Sequence, residues 1–152
     1  MAPTGKAAES AGFTLLELLI SVSLLALGLL AVASMQSVAM NANKVSNRLT
    51  VATTLAQEVA EDMLSWSITD PRLTSAITMP ASTAPNYTFI DPSTGTASTL
   101  IKISGAGTYS ACYATTPNNP VNGNTKIDIK VSYLSGSTPN DLVTYTVYKR
   151  LN

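Results

Sequence analysis

Residues 13–40 read FTLLELLISVSLLALGLLAVASMQSVAM, and this stretch decides the fold. It carries a single charged residue, Glu17, and it is longer than the roughly 20 apolar residues that cross a bilayer as a helix. Only a helix satisfies all of its own backbone hydrogen bonds in lipid, so the stretch is predicted to be a membrane-spanning helix. A charge in hydrocarbon costs at least about 2.5 kcal/mol, so Glu17 is expected to have a partner that carries a function.

The helical pattern continues beyond Met40, but it becomes periodic. Apolar residues recur at spacings of three and four from Val45 through Leu49, Ala52, Ala56, Val59 and Met63 to Trp66, which is the stripe of an amphipathic helix. The stripe residues Met63 and Trp66 are expected to be core residues. The segment contains no Gly or Pro before Pro71, and the residue before a proline is pushed out of the α region. One helix is therefore predicted from about residue 13 to about residue 67.

The rest of the chain has short runs of β-forming residues between loops rich in Pro, Gly and Asn. Strands are predicted at residues 87–90, 100–104, 109–115, 125–134 and 142–151, with loops at 70–85 and 116–124. Every second residue is apolar in 126–133, and Val143, Tyr145 and Val147 repeat that pattern after a turn predicted at 135–141. The predicted fold class is α+β, with the second half of the long helix packed on a small antiparallel sheet.

Four segments are predicted along the chain. Residues 1–12 are small and polar and are expected to be a leader. They are followed by a transmembrane helix (13–40), an amphipathic continuation of that helix (41–67) and a β-rich globular domain (68–152).

Composition excludes several classes of function. Nine Lys and Arg residues balance nine Asp and Glu residues, so the chain has no basic field that would bind nucleic acid. There is no His, and Cys112 is the only cysteine, so catalysis through His or through a cysteine cluster is excluded. No arrangement of carboxylates, hydroxyls or metal-ligating residues indicates an enzyme, a metal or a cofactor.

The weaker motifs are assigned structural explanations. Residues 104–107 (SGAG) resemble part of a phosphate loop but lack its Lys and the following helix, so a turn or bulge is predicted. Residues 91–95 (DPSTG) offer a single carboxylate, which favours a plain turn over a calcium site. Cys112 is expected to be a buried structural thiol. Four polar residues share one side of a strand and are expected on a solvated sheet face: Lys126, Asp128, Lys130 and Ser132.

Gly12, the following Phe13-Thr14-Leu15-Leu16-Glu17 and the long apolar stretch together resemble the type III signal of prepilins, the precursors of type IV pilin-like proteins. The resemblance implies that a prepilin peptidase cleaves between Gly12 and Phe13 and methylates the new amino terminus of Phe13. It implies a partner for Glu17 as well, since the acid at this position in pilin filaments is taken to meet the terminal ammonium of a neighbouring subunit. That pairing is physically reasonable, because opposite charges attract strongly at low dielectric while either charge alone in lipid is costly.

Residues 28–31 and 52–63 extend the resemblance to about the first 65 residues, and they are most similar to minor pilins of the PilV type and related type II secretion pseudopilins. The implied partners are other pilin or pseudopilin subunits, the prepilin peptidase, and the bacterial inner membrane with its assembly platform. The implied location is the inner membrane before assembly, and afterwards a pilus or pseudopilus in the periplasm or at the cell surface. Many major pilins have a proline where Ser34 stands and a two-cysteine loop that this chain lacks, which favours a minor subunit.

Two other interpretations stay open. Ala31-Val32-Ala33 is an A-x-A site after an apolar stretch, and signal peptidase cleavage after Ala33 would release a soluble periplasmic protein. Glu17 within the apolar stretch counts against that interpretation. The chain would otherwise be a single-span anchored binding domain that never assembles.

Overall fold

The computed structural model describes residues 13–91 and 95–151. Helix α1 runs from Leu15 to Ser65, which confirms the predicted long helix, and a short helix α2 (Pro71–Thr74) follows. The strands are β1 (Phe89–Ile90), β2 (Ala97–Ser98), β3 (Leu100–Ile103), β4 (Gly107–Pro117), β5 (Asn124–Ser135) and β6 (Thr138–Arg150). The fold is α+β, as predicted. The chain divides into two compact units between Ala42 and Asn43.

The described part of the first unit is the apolar portion of α1 with the two residues before it. All of its large hydrophobic side chains are exposed, with Leu15 at 81% and Leu30 at 69%. Among the described helices, α1 is long and apolar enough to cross a membrane, and none of its most apolar window is buried within the protein. A continuous apolar surface of this kind needs lipid or other helices to cover it.

The second unit is built on an antiparallel sheet with the strand order β3-β4-β5-β6, beside a separate β1-β2 ladder. Strands β5 and β6 pair Ile127 with Val147 and Ile129 with Tyr145, so the predicted alternation and hairpin are confirmed. The prediction of a turn at 135–141 was wrong. The turn is shorter, because Ser135 pairs with Thr138 and only Gly136 and Ser137 lie between the strands. Prolines are tolerated in edge strands, and Pro139 lies in the edge strand β6.

Other predicted boundaries also change. The loop at 70–85 contains α2, because Asp70 caps it and Pro71 is its first residue, a favourable arrangement for a helix start. The loop at 116–124 shrinks to residues 118–123, since β4 continues to Pro117 and β5 begins at Asn124. Strand β2 was not predicted. The turn predicted at 104–107 is confirmed as the connection between β3 and β4.

The core lies between one face of α1 and the inner face of the sheet. The buried helix residues are Ala52, Leu55, Ala56, Val59, Ala60 and Met63, and the buried sheet residues include Tyr109, Ala111, Ile127, Ile129 and Val131. Three of the six helix residues are alanines, which take up little volume in this core. The first two members of the predicted stripe, Val45 and Leu49, are 62% and 47% exposed, so the stripe begins before the packed part of the helix does.

The C-terminal end of α1 is capped from the far end of the chain. Lys149 on β6 is 8% exposed. Its Nζ donates hydrogen bonds to the carbonyl oxygens of Leu64, at 2.7 Å, and of Trp66. The last carbonyls of a helix have no partner within the helix, and a cation there also interacts favourably with the helix dipole. Because α1 has no basic residue in its own last turn, Lys149 provides the cation.

A second polar contact joins the end of α1 to the sheet side of the domain. The Asp62 carboxylate accepts hydrogen bonds from the Tyr87 hydroxyl, at 3.0 Å, and from the Trp66 indole, at 3.2 Å. Burial, together with the Asp62 carboxylate, raises the pKa of Tyr87 well above its usual range. The Arg72 guanidinium lies 3.6 Å from the centre of the Trp66 ring. Met63 is buried and Trp66 half-buried, which confirms both as core residues.

The predicted solvated face of β5 is only partly solvated. Ser132 is fully buried, and its hydroxyl donates to Asp141 Oδ1 at 2.7 Å. The same carboxylate oxygen accepts from Ser82 at 2.5 Å, so the 70–85 segment covers the sheet there. Lys126 and Asp128 form an ion pair of 2.8 Å and remain partly exposed. The prediction for Ser132 was wrong because strand alternation cannot reveal a loop that packs on the outer face.

Gly107 is required by its own backbone and by a neighbouring ring. Its φ is +112°, and a Cβ added there would lie 2.5 Å from Tyr133 Cε2. Gly105 has φ +75° with open space around it, so it is a matched control.

We expect Gly107→Ala to lower the free energy of unfolding by about 3 kcal/mol, from backbone strain together with overpacking. The Gly105→Ala control should cost about 1 kcal/mol, from backbone strain alone. Urea unfolding of the full chain in detergent, followed by fluorescence of Trp66, the only tryptophan, measures both. Equal losses in the two variants would show that Tyr133 does not press on Gly107.

The Asp70 cap makes stability depend on pH. Its carboxylate accepts from the Arg72 side chain at 2.7 and 3.0 Å and from the Arg72 backbone N–H at 2.8 Å. These hydrogen bonds lower the pKa of Asp70 from 3.8 to about 2. A folded-state pKa below the unfolded value means that the contribution is complete above about pH 4 and is lost as the pH falls towards 2.

We expect wild type to lose more stability than Asp70→Asn between pH 5 and pH 2.5, since the amide does not titrate. Urea midpoints of the full chain in detergent at the two pH values give the comparison. Parallel losses in the two proteins would assign the acid sensitivity to other carboxylates.

Candidate assembly and processing site

Thr14 caps the start of α1. Its hydroxyl oxygen accepts a hydrogen bond from the Glu17 backbone N–H at 3.2 Å, and its carbonyl accepts one from the Leu18 N–H at 3.2 Å. Thr-x-x-Glu is the spacing of a capping box, in which the hydroxyl satisfies a backbone donor of the first turn. Thr14 was not among the predicted site residues, although this spacing was visible in the sequence. It explains why the helix begins at Leu15.

Glu17 is the acid of that first turn. It is exposed, and within the described residues its carboxylate forms neither a hydrogen bond nor an ion pair. An acid at a helix N-terminus gains about 0.3–1 kcal/mol from the helix dipole. That gain is smaller than the roughly 2.5 kcal/mol that a charge costs in hydrocarbon. The helix end therefore does not by itself explain an acid in this apolar stretch.

Phe13 lies just before the helix and is 81% exposed. Gly12 and the predicted leader at 1–12 lie outside the described residues. The structure thus places Phe13 and Glu17 at the same end of α1, on either side of the Thr14 cap. All side chains from Leu15 to Met40 are exposed, on every face of the helix.

Residues 9–33 match the family model of the prokaryotic N-terminal methylation motif. This segment is that of a type IV pilin-like prepilin. The match includes the boundary between Gly12 and Phe13, the Thr14 cap and Glu17, and it ends before the β-rich part of the chain. Neither the curated proteins nor the solved structures include a significant match to this chain.

The motif has direct consequences for how the chain is processed and assembled. It indicates processing by a prepilin peptidase and assembly with other pilin subunits, and it favours a structural subunit over an enzyme. Together with the long apolar helix, it indicates membrane insertion followed by assembly into a pilus-like filament. Among residues 13–91 and 95–151, no group of three or more His, Cys, Asp or Glu side chains could hold a metal ion.

The remaining motifs of the chain are structural. Cys112 is fully buried, as predicted, and burial raises the pKa of its thiol. The segment at 91–95 is closed by a hydrogen bond of 2.7 Å from the Gly95 N–H to the Asp91 carbonyl, although residues 92–94 lie outside the described part. A buried thiol with a raised pKa is unsuited to nucleophilic chemistry.

Proposed function

We propose that this chain is a minor pilin or pseudopilin, a structural subunit of a type IV pilus or of a related secretion pseudopilus. In this proposal the peptidase cleaves between Gly12 and Phe13, the new amino terminus of Phe13 is methylated, and the subunit assembles through α1. The observation that carries the proposal is the methylation motif at 9–33 on a helix whose apolar side chains are exposed on every face.

The proposed partner of Glu17 is the terminal ammonium of Phe13, or of the equivalent residue, in a neighbouring subunit. Two opposite charges about 4 Å apart attract by about 4 kcal/mol at an effective dielectric constant of about 20. That attraction offsets the cost of about 2.5 kcal/mol that the Glu17 charge has in hydrocarbon, and the ammonium has a comparable cost of its own. The pair exists only after cleavage, because the amine of Phe13 is an amide nitrogen until the leader is removed.

Two features support a minor subunit over the main fibre subunit. Ser34 occupies a position where a proline would bend the helix, and its hydroxyl donates to the Ala31 carbonyl at 2.7 Å within an uninterrupted α1. The single cysteine is buried, so no disulfide closes the C-terminal region. The β-rich domain would then serve as contact surface for other minor subunits.

The alternatives make different predictions about the mature chain. Cleavage after Ala33 would leave the core of the second unit intact, because the buried helix residues begin at Ala52. The signal-peptide interpretation is therefore compatible with a folded product, and only the amino terminus separates the three interpretations.

We expect N-methylated Phe13 as the first residue of the protein isolated from its host, determined by mass spectrometry of the N-terminal peptide. A chain beginning at Ser34 would support the secreted soluble protein, and one beginning at Met1 or Ala2 would support the simple anchor. Either result would overturn the proposed processing.

A further inference from the structure

A cationic cleft lies between α1 and the β3–β4 turn of the second unit. Its volume is about 290 Å³. It is lined by Lys44, Asn47 and Arg48 of α1, by the turn residues Gly105, Ala106 and Gly107, and by Tyr133 of β5. The turn is the segment whose sequence resembles part of a phosphate loop without a lysine. The fold places two cations of α1 opposite it.

The two cations of the cleft have no anionic partner in the part of the chain that the structure describes. Lys44 is exposed and Arg48 half-buried, and neither forms an ion pair with any residue that the structure describes. They are four residues apart, so they lie on the same side of α1, where like charges repel. A bound anion would remove that repulsion.

Packing holds Arg48 in a defined orientation. Its guanidinium lies 4.1 Å from the centre of the Tyr133 ring, and Tyr133 packs edge-on to Tyr109 with ring centres 5.5 Å apart. The absence of a side chain at Gly107 makes room for the Tyr133 ring. A guanidinium that stacks on a ring through its face keeps the N–H groups of its edge for an oxyanion, and the geometry of its fork matches a phosphate group.

The position of the cleft along the chain identifies the source of the phosphate. Lys44 follows Met40, the last residue of the apolar stretch, by about one helical turn. A residue just past a membrane-spanning stretch lies at the level of the lipid headgroups, where its cation is within reach of their phosphates.

We propose that this cleft binds the phosphate of an anionic phospholipid headgroup while the subunit is in the membrane. Lys44 and Arg48 would contact the phosphate oxygens, and the Asn47 amide would contribute a further donor. This inference rests on the membrane insertion included in the proposed function, but it does not depend on cleavage or on filament assembly.

The test measures the melting temperature of the full, unassembled chain in a neutral detergent, followed by Trp66 fluorescence. The added probes are a short-chain phosphatidylglycerol, the matching phosphatidylcholine, and inorganic phosphate. We expect phosphatidylglycerol at about tenfold excess over its Kd to raise the melting temperature by about 4 °C, and the other two probes to have little effect.

The variant Lys44→Gln/Arg48→Gln should lose this shift. The matched control Lys102→Gln/Arg150→Gln removes two exposed cations outside the cleft and should keep it. Lys44→Gln alone leaves the contact between Arg48 and Tyr133 in place and should reduce the shift. This single variant tests the site even if the double variant folds poorly. Equal shifts in wild type and both double variants, or an equal shift with inorganic phosphate, would overturn the headgroup site. An N-terminal residue other than Phe13 in the mature protein would overturn the proposed processing, but it would not change the melting-temperature shift expected here.

Discussion

Glu17→Leu is expected to abolish incorporation of this chain into filaments and to leave its insertion into the membrane intact. Leucine removes the charge that costs about 2.5 kcal/mol in hydrocarbon, so insertion becomes easier. It also removes the proposed partner of the neighbouring ammonium, whose attraction is worth about 4 kcal/mol. A loss of about 4 kcal/mol lowers the equilibrium constant for assembly about a thousandfold. The measurement compares the variant in purified filaments and in the membrane fraction by immunoblot.

Ser21→Leu is the matched control for this variant. Ser21 lies one helical turn beyond Glu17 on α1 and is exposed. Its substitution also replaces a polar side chain with leucine within the apolar stretch. We expect Ser21→Leu to assemble normally, because it removes no charge. Incorporation of Glu17→Leu at the level of wild type would contradict the ion pair.

Lys149→Met is expected to lower the free energy of unfolding by about 3 kcal/mol. The methionine keeps the apolar stem but leaves the carbonyls of Leu64 and Trp66 without their donor, and it removes the cation from the C-terminal end of α1. Burying polar groups without partners is among the most costly single changes. Urea unfolding of the full chain in detergent, with Trp66 fluorescence as the signal, measures the loss at the site itself.

Lys130→Met provides the comparison. Lys130 forms an ion pair of 3.1 Å with the half-exposed Asp141, and that carboxylate keeps its hydrogen bonds from Ser82 and Ser132 when the lysine is removed. Ion pairs of this exposure contribute less than about 1 kcal/mol. If Lys149→Met costs no more than Lys130→Met, Lys149 is not a cap of α1.

The sequence was most informative where one interaction dominates. The apolar stretch predicted the first part of α1, because a helix is the structure that lipid permits. The absence of Gly and Pro between Met40 and Pro71 extended the prediction almost to the last residue of α1. The alternation in β5 and β6 predicted their pairing correctly, because one buried face selects one register. At the helix start, Thr14 and Glu17 have the spacing of a capping box, which marks this boundary in the sequence itself.

Contacts between distant parts of the chain were harder to predict. Lys149 follows Val147 by two residues, so strand alternation places it on the inner face, where a cation needs a partner. Its partners are the carbonyls at the end of α1, more than 80 residues earlier in the chain, and no local pattern identifies them. The cleft of Lys44 and Arg48 is also formed by distant parts of the chain, because the turn opposite these two residues connects two strands of the sheet.

The central claim is that Glu17 forms an ion pair with the N-terminal amine of a neighbouring subunit. Treatment of assembled filaments with a membrane-permeable carbodiimide tests it directly, because the reagent joins a carboxylate to an amine only when the two are in contact. Mass spectrometry is expected to find the Glu17 peptide joined to the methylated N-terminal residue of another subunit. Recovery of the Glu17 peptide uncoupled, from filaments in which other carboxylates have reacted with neighbouring amines, would contradict the account.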